Sequence, residues 1–183
     1  MMQSFRMLLW MVLLTGVIYP LVLTTVAQVT MPQKARGSMI AVQGELVGSE
    51  LMGQKFSSSR YFWPRPSASD YSAVPGCGSN LGPTSLLLKQ LVAARKQALE
   101  VFGKNVPSGL LFASASGVDP HITPQSAYFQ VGRIALNRAL TSVELERLIE
   151  TYTTRPLFYL IGVPHVNVLQ LNIALDQMEA EKT

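Results

Sequence analysis

The chain has 183 residues, 48% of them hydrophobic and only 14% charged, well below the roughly one quarter charged in an ordinary soluble domain. The shortfall sits in one place, since Met7 to Gln33 is a run of 27 residues without a formal charge. Residues 37–183 carry 12 Lys/Arg and 11 Asp/Glu, a net of +1 within the chain's +4, which is no clustered basic footprint and argues against free-standing DNA or RNA binding.

Met7 to Val29 is long enough to span a bilayer. At roughly 1.5 Å per residue a helix over it covers about 34 Å, against a hydrocarbon core of about 30 Å. The competing reading is a cleaved signal, with Thr25-Val26-Ala27 as the small-x-small site. Signal cores usually run only about 7–15 residues, so the length favours an uncleaved anchor. Pro20 removes one backbone hydrogen bond and crowds the carbonyl of Gly16. Thr15 and Thr24 are near enough to satisfy the freed group. The kink suits packing against other helices, although Gly and Pro are common in membrane helices generally. Arg6 and the α-amino group on one side balance Lys34 and Arg36 on the other, so charge bias leaves the orientation open.

After the span, Met39–Val42 and Glu45–Val47 read as short strands around Gly44. Tyr61 to Ala68 is aromatic and proline-rich, hence extended. Ser72 to Pro83, with Pro75, Gly76, Gly78 and Gly82, is a loop. A helix starts near Pro83-Thr84-Ser85 and ends at Gly103, with Leu87, Leu91, Ala94, Ala98 and Val101 at helical spacing. Val106 to Ala115 is read as a strand. Thr123-Pro124 caps a second helix with Ala127, Val131, Ile134 and Ala135 as its buried stripe. Thr141 to Glu144 fits a capping box for a third, with Leu145, Leu148, Ile149 and Tyr152 inward and Pro156 stopping it. Val166 to Met178 begins strand-like and continues as a final helix from Leu169. The mixture is α+β, and no Gly/Ser- or Pro-rich linker divides it, so one domain follows the span.

Chemical motifs are sparse. No Gly-x-x-x-x-Gly-Lys-Ser/Thr loop, no Gly-x-Gly-x-x-Gly fingerprint and no Asp-Lys-Thr-Gly segment occurs, so this chain does not hydrolyse ATP by itself. Cys77 stands alone, which excludes an intrachain disulfide and Cys-x-x-Cys chemistry. His121 and His165 lie 44 residues apart without a second ligand at metal-binding spacing, and no Gly-x-Ser-x-Gly elbow marks a nucleophile. Three segments remain as candidates. Tyr61, Phe62, Trp63 and Arg65 are interface-type residues that equally suit a core plug with one surface guanidinium. Gly76-Cys77-Gly78-Ser79-Asn80 is either a plain turn or an anion-binding loop. Ser114 to His121 is a polar turn fixed by Asp119, or a partner contact before a helix N-terminus.

Six stretches together resemble the C subunit of the Kdp-type potassium-transporting P-type ATPase: Gly16–Pro20, Gly48–Gln54, Tyr61–Ala68, Gly78–Thr84, Ala113–Pro124 and Val166–Asp176. The resemblance implies a single-pass inner-membrane protein, with residues 1–6 cytoplasmic, 7–29 in the membrane and 30–183 forming a periplasmic α+β domain. It implies a non-catalytic accessory subunit of an ATP-driven, high-affinity potassium uptake complex. Its partners would be membrane lipid, a channel-like potassium-binding subunit, a phosphorylated ATPase subunit and a small helical one, and no nucleic acid. Gln54, Tyr61, Phe62, Trp63, Arg65 and Asp119 are then the candidate partner contacts. The family is described as a catalytic chaperone that raises the ATPase subunit's affinity for ATP, with no tightly bound cofactor but with ATP in a ternary complex. A Ser-Gly-Gly-Ser stretch credited with nucleotide contact reads Gly76-Cys77-Gly78-Ser79 here, without the paired glycines.

A domain beyond a barrier of about 30 Å does not reach cytoplasmic ATP, so an effect on ATP affinity would pass through the span as a coupling free energy. The expected role is a cap on the outer ion entrance that holds the complex together. Rival readings are a membrane-tethered periplasmic hydrolase and a periplasmic binding protein released from its signal.

Overall fold

The computed structural model describes residues 2–74, 76–156 and 161–181; Pro75, expected in the loop, lies outside them. The chain forms two compact units, Met1–Ser49 and Glu50–Thr183.

In the first unit, helices α1 (Met2–Leu13) and α2 (Tyr19–Thr30) are joined by a π-helical turn, Leu14–Ile18. Together they make one helix of 29 residues, Met2–Thr30, long and apolar enough to cross a membrane. It begins five residues before the uncharged run, with Arg6 inside its first turns. No residue of it is buried within the chain, and a helix apolar all round requires an apolar surrounding.

The π turn is the structural answer to Pro20. The ring supplies no N–H for the Gly16 carbonyl, and the wider turn absorbs the mismatch, with Tyr19 N–H donating to Leu14 O. The Thr15 hydroxyl does not serve the freed carbonyl as expected; it donates back to Met11 O at 2.7 Å.

The short helix α3 (Pro32–Ala35) leads to an antiparallel hairpin, β1 (Met39–Val42) and β2 (Glu45–Ser49). Its tight turn has Gln43 at φ 52° and Gly44 at φ 85°, the left-handed pair whose twist matches paired strands. Ser49 Oγ donates to Gly37 O at 2.7 Å and closes the hairpin's open end.

The second unit contains α4 (Leu86–Leu99), a 3₁₀ turn at Ser108–Leu110, β3 (His121–Ile122), α5 (Pro124–Asn137), α6 (Ser142–Thr151), β4 (Thr153–Thr154), β5 (His165–Asn167) and α7 (Val168–Ala180). The strands form an antiparallel sheet in the order β3-β5-β4. Helices α5, α6 and α7 bury Ile134, Leu145, Ile149, Leu171 and Leu175 in one core with Ile122 and Val166 of the sheet. Each such side chain contributes about 1.5–3 kcal/mol on leaving water. Local chemistry sets the helix starts. Thr123 and Asn167 accept from the third residue of α5 and α7, and Thr141 with Glu144 completes a capping box on α6.

Three expectations need correction. Val106–Ala115 is no strand but the 3₁₀ turn and its flanks, because Pro107 and Gly109 break an extended run. Helix α6 ends at Thr151, before Pro156, because Thr153 and Thr154 leave it to pair with β5. The stripe expected for α4 faces outward, with Leu87 52% exposed and Leu91, Ala94 and Ala98 exposed, and the helix ends at Leu99, before Val101 and the expected stop at Gly103. Leu99 is the residue buried instead, packed with Leu110 and Leu111, and Leu88, Val92 and Arg95 are half-buried on the same side.

Candidate functional site around the Tyr61–Arg65 segment

Residues 58–66 cross the second unit in an extended path held by side chains rather than by a neighbouring strand. Pro64 and Pro66 exclude helix, so the backbone polar groups of the residues leading into them need other partners. Asn172 of α7 accepts from Phe62 N–H at 2.8 Å and donates to Phe62 O at 3.0 Å. Gln130 of α5 does the same for Trp63, at 2.8 and 3.1 Å. The two amides thus imitate a strand edge, and each locks one residue in place.

Two buried arginines clamp the same segment. Arg133 of α5 donates to Ser59 O at 2.6 Å, Tyr61 O at 2.9 Å and Gln130 Oε1 at 2.7 Å, and stacks on Trp63 at 3.7 Å. No carboxylate meets it among the described residues, and burial lowers its pKa to about 10. It remains charged at neutral pH, with neutral acceptors and an aromatic face bearing the charge. Arg138 donates to Arg60 O at 2.8 Å and pairs with Asp176 at 2.7 Å and Glu179 at 2.6 Å on α7, with Tyr61 at 4.7 Å over its guanidinium. Arg60 reaches Glu179 from outside at 2.8 Å. The sequence analysis missed Arg133, Arg138, Gln130 and Asn172. A signal existed in α5, where Gln130 and Arg133 share the stripe of Ala127, Val131 and Ile134.

Burial divides the Tyr61–Arg65 segment unevenly. Phe62 is fully buried, while Tyr61, Trp63 and Arg65 are half-buried. Arg65 reaches Asp119 at 3.0 Å, tying the segment to the polar turn before β3. That turn is also fastened by Gly53 N–H to Val118 O at 2.7 Å and by Ser67 Oγ to Gly117 O at 2.6 Å. A Cβ on Gly53 would sit 2.6 Å from Asp119 O. Gln54, the next residue, is half-buried.

The loop Gly76–Asn80 lies on the same turn. A Cβ on Gly78 would stand 2.5 Å from Ala115 O, and Gly117 opposite adopts φ 76°. Gly76 N–H is taken by Ala73 O at 3.0 Å, Asn80 adopts φ 51°, and Cys77 and Ser79 are exposed. Close packing of two backbones leaves no room for a side chain at Gly78. Gly78→Ala is expected to lower stability by about 1–3 kcal/mol through overpacking, read from the denaturant midpoint of the full chain in detergent. An unchanged midpoint contradicts the close approach.

His121 and His165, far apart in sequence, stand edge to face at 4.6 Å, because β3 pairs with β5 and brings His121 opposite Asn167. Asp119 lies 3.7 Å from His121, and His165 Nδ1 meets Val163 O at 3.0 Å. No cluster of three metal-ligating side chains occurs among the described residues. Burial, then His165, hold His121 below its ordinary 6.5, partly offset by Asp119 and Glu50. The unfolded chain therefore takes this proton more readily than the folded one. Stability is complete above about pH 6.5 and declines as pH falls below it. The slope is shallow because the ring is partly exposed. His121→Gln should flatten the decline between pH 7 and 5 in thermal melts; an identical slope contradicts it.

These features define an α+β domain carried behind a helix fit to cross a membrane. Residues 1–177 match the KdpC family, described as the K+-transporting ATPase, c chain. The chain is 46% identical over 170 residues to the potassium-transporting ATPase KdpC subunit of Sorangium cellulosum (strain So ce56), covering 89% of this chain and 90% of that one. It is 45% identical over 171 residues to the subunit of the same name from Dechloromonas aromatica (strain RCB), at 90% of each. It is 48% identical over 170 residues to that of Cereibacter sphaeroides (strain KD131 / KCTC 12085), at 92% of each. The chain belongs to the KdpC family, and is therefore an accessory subunit of a potassium-transporting ATPase and not its catalytic one.

Proposed function

We propose that this subunit is held in the inner membrane by Met2–Thr30, with its amino terminus cytoplasmic and its α+β domain periplasmic, where it caps the outer ion entrance of the channel-like subunit and stabilises the assembly. The observation that carries this reading is the 29-residue apolar helix with no buried residue, which needs lipid or neighbouring helices to cover it. The π turn around Gly16, next to Pro20 of α2, gives that helix a face for packing against the spans of the channel-like, ATPase and small helical subunits. ATP is not held by this chain in the reading. Its affinity at the ATPase subunit rises through the span as a coupling free energy, since the loop Gly76–Asn80 is engaged with the Ala115–Gly117 turn.

A hydrolase reading has less support, because among the described residues neither imidazole holds a serine or cysteine side chain. The test is co-purification in mild detergent from cells expressing all the subunits. Co-elution of this chain with the channel-like and ATPase subunits is the expected result. A chain that elutes alone, or one whose amino terminus has been trimmed near Gln28, overturns the reading.

A further inference from the structure

Next to Trp63 the second unit has a cavity of about 290 Å³, walled by Phe56, Trp63, Pro66 and Leu99, with Tyr71 and Arg95 supplying its inner polar groups. The polar groups are unequal. Tyr71 Oη donates to Arg65 O at 2.7 Å, and Trp63 Nε1 to Ser58 O at 2.9 Å, so both are committed. Lys55 stands at the rim, paired with Asp70 at 2.7 Å.

Arg95 differs. It is half-buried, it makes one hydrogen bond, from Nη1 to Leu111 O at 2.8 Å, and it has no ion pair among the described residues. Arg133 and Arg138, the buried guanidiniums of the same unit, have three acceptors or two carboxylates. A guanidinium presents five N–H donors in a planar fork suited to a carboxylate, and Arg95 uses one side of it. Nor does Tyr71 provide an anion, because burial and then Asp70 push its phenol up to about 12.

We propose that this cavity binds a carboxylate carried on a small apolar or aromatic body, with the carboxylate on Arg95 and the body against Trp63 and Phe56. An aromatic-lined space with one convergent cation is the usual composition of a small-ligand site, and its volume admits a group about the size of one side chain. The carboxylate arrives either on a free molecule or on an acidic residue or chain terminus of a partner subunit. The assignment does not depend on which side of the membrane the domain occupies.

Trp10→Phe leaves Trp63 as the chain's only indole, so its fluorescence reports the cavity in the full chain in detergent. Phenylacetate is expected to shift the emission saturably, and phenylacetamide, the same shape without charge, to bind about ten-fold more weakly. Arg95→Gln should bring phenylacetate down to the amide's affinity. Equal binding of the two probes by the parent chain, or no saturable shift with phenylacetate, overturns the proposal without reliance on a variant that folds. Repeating the titration on the assembled transport complex distinguishes the sources. Retained phenylacetate binding assigns the cavity to a free ligand, and its loss assigns it to a partner's carboxylate.

Discussion

Replacing Arg133 by methionine is expected to cost the second unit about 3–5 kcal/mol. Arg133 is 3% exposed, and its guanidinium satisfies Ser59 O, Tyr61 O and Gln130 Oε1 while stacking on Trp63. Methionine fills similar volume but donates nothing, and each buried acceptor left without a partner costs about 1–3 kcal/mol. Gln130 would lose one of the groups that orient it, so its bonds to Trp63 weaken as well. Arg147→Met, on an exposed position of α6, is the control and should stay within about 0.5 kcal/mol of the parent. Denaturant unfolding of the full chain in detergent, followed at Trp63, measures both. A loss for Arg133→Met no larger than the control's would mean the segment is held by Phe62 burial alone.

Leu13→Arg is expected to abolish assembly. Leu13 closes α1 immediately before the π turn, near the middle of the 29-residue helix. A charge at the centre of a span costs roughly 2.5–3.5 kcal/mol on insertion scales. Among the described residues no second helix is long and apolar enough to share that cost. Membrane fractionation and complex yield measure the result. Full retention and full yield would contradict the anchor.

Much of the architecture could be read from local chemistry. Thr123-Pro124, Thr141 with Glu144, and the Gln43-Gly44 turn state their structures in a few neighbouring residues, and the uncharged run states its own length. What escaped depends on distant partners. The strands β3 and β5 are two and three residues long and form only because distant segments meet, β3 and β4 pairing on either side of β5. Nothing near Arg133 and Arg138 in the sequence announces the passing backbone segment and the two α7 carboxylates that make them buried clamps. In α4, Leu86, Leu87 and Leu88 are consecutive, so periodicity fixes a helix without choosing its inner side; Leu110 and Leu111 choose it. The π turn likewise is a geometric response to Pro20 that composition does not announce.

Cys77 is free and exposed on the second unit, so one thiol reports which side of the membrane that unit occupies. A membrane-impermeant maleimide added to right-side-out vesicles carrying the assembled complex is predicted to label Cys77, and in sealed inside-out vesicles to leave it unlabelled. Labelling confined to the inside-out vesicles would place the domain with the cytoplasmic ATP and contradict the account.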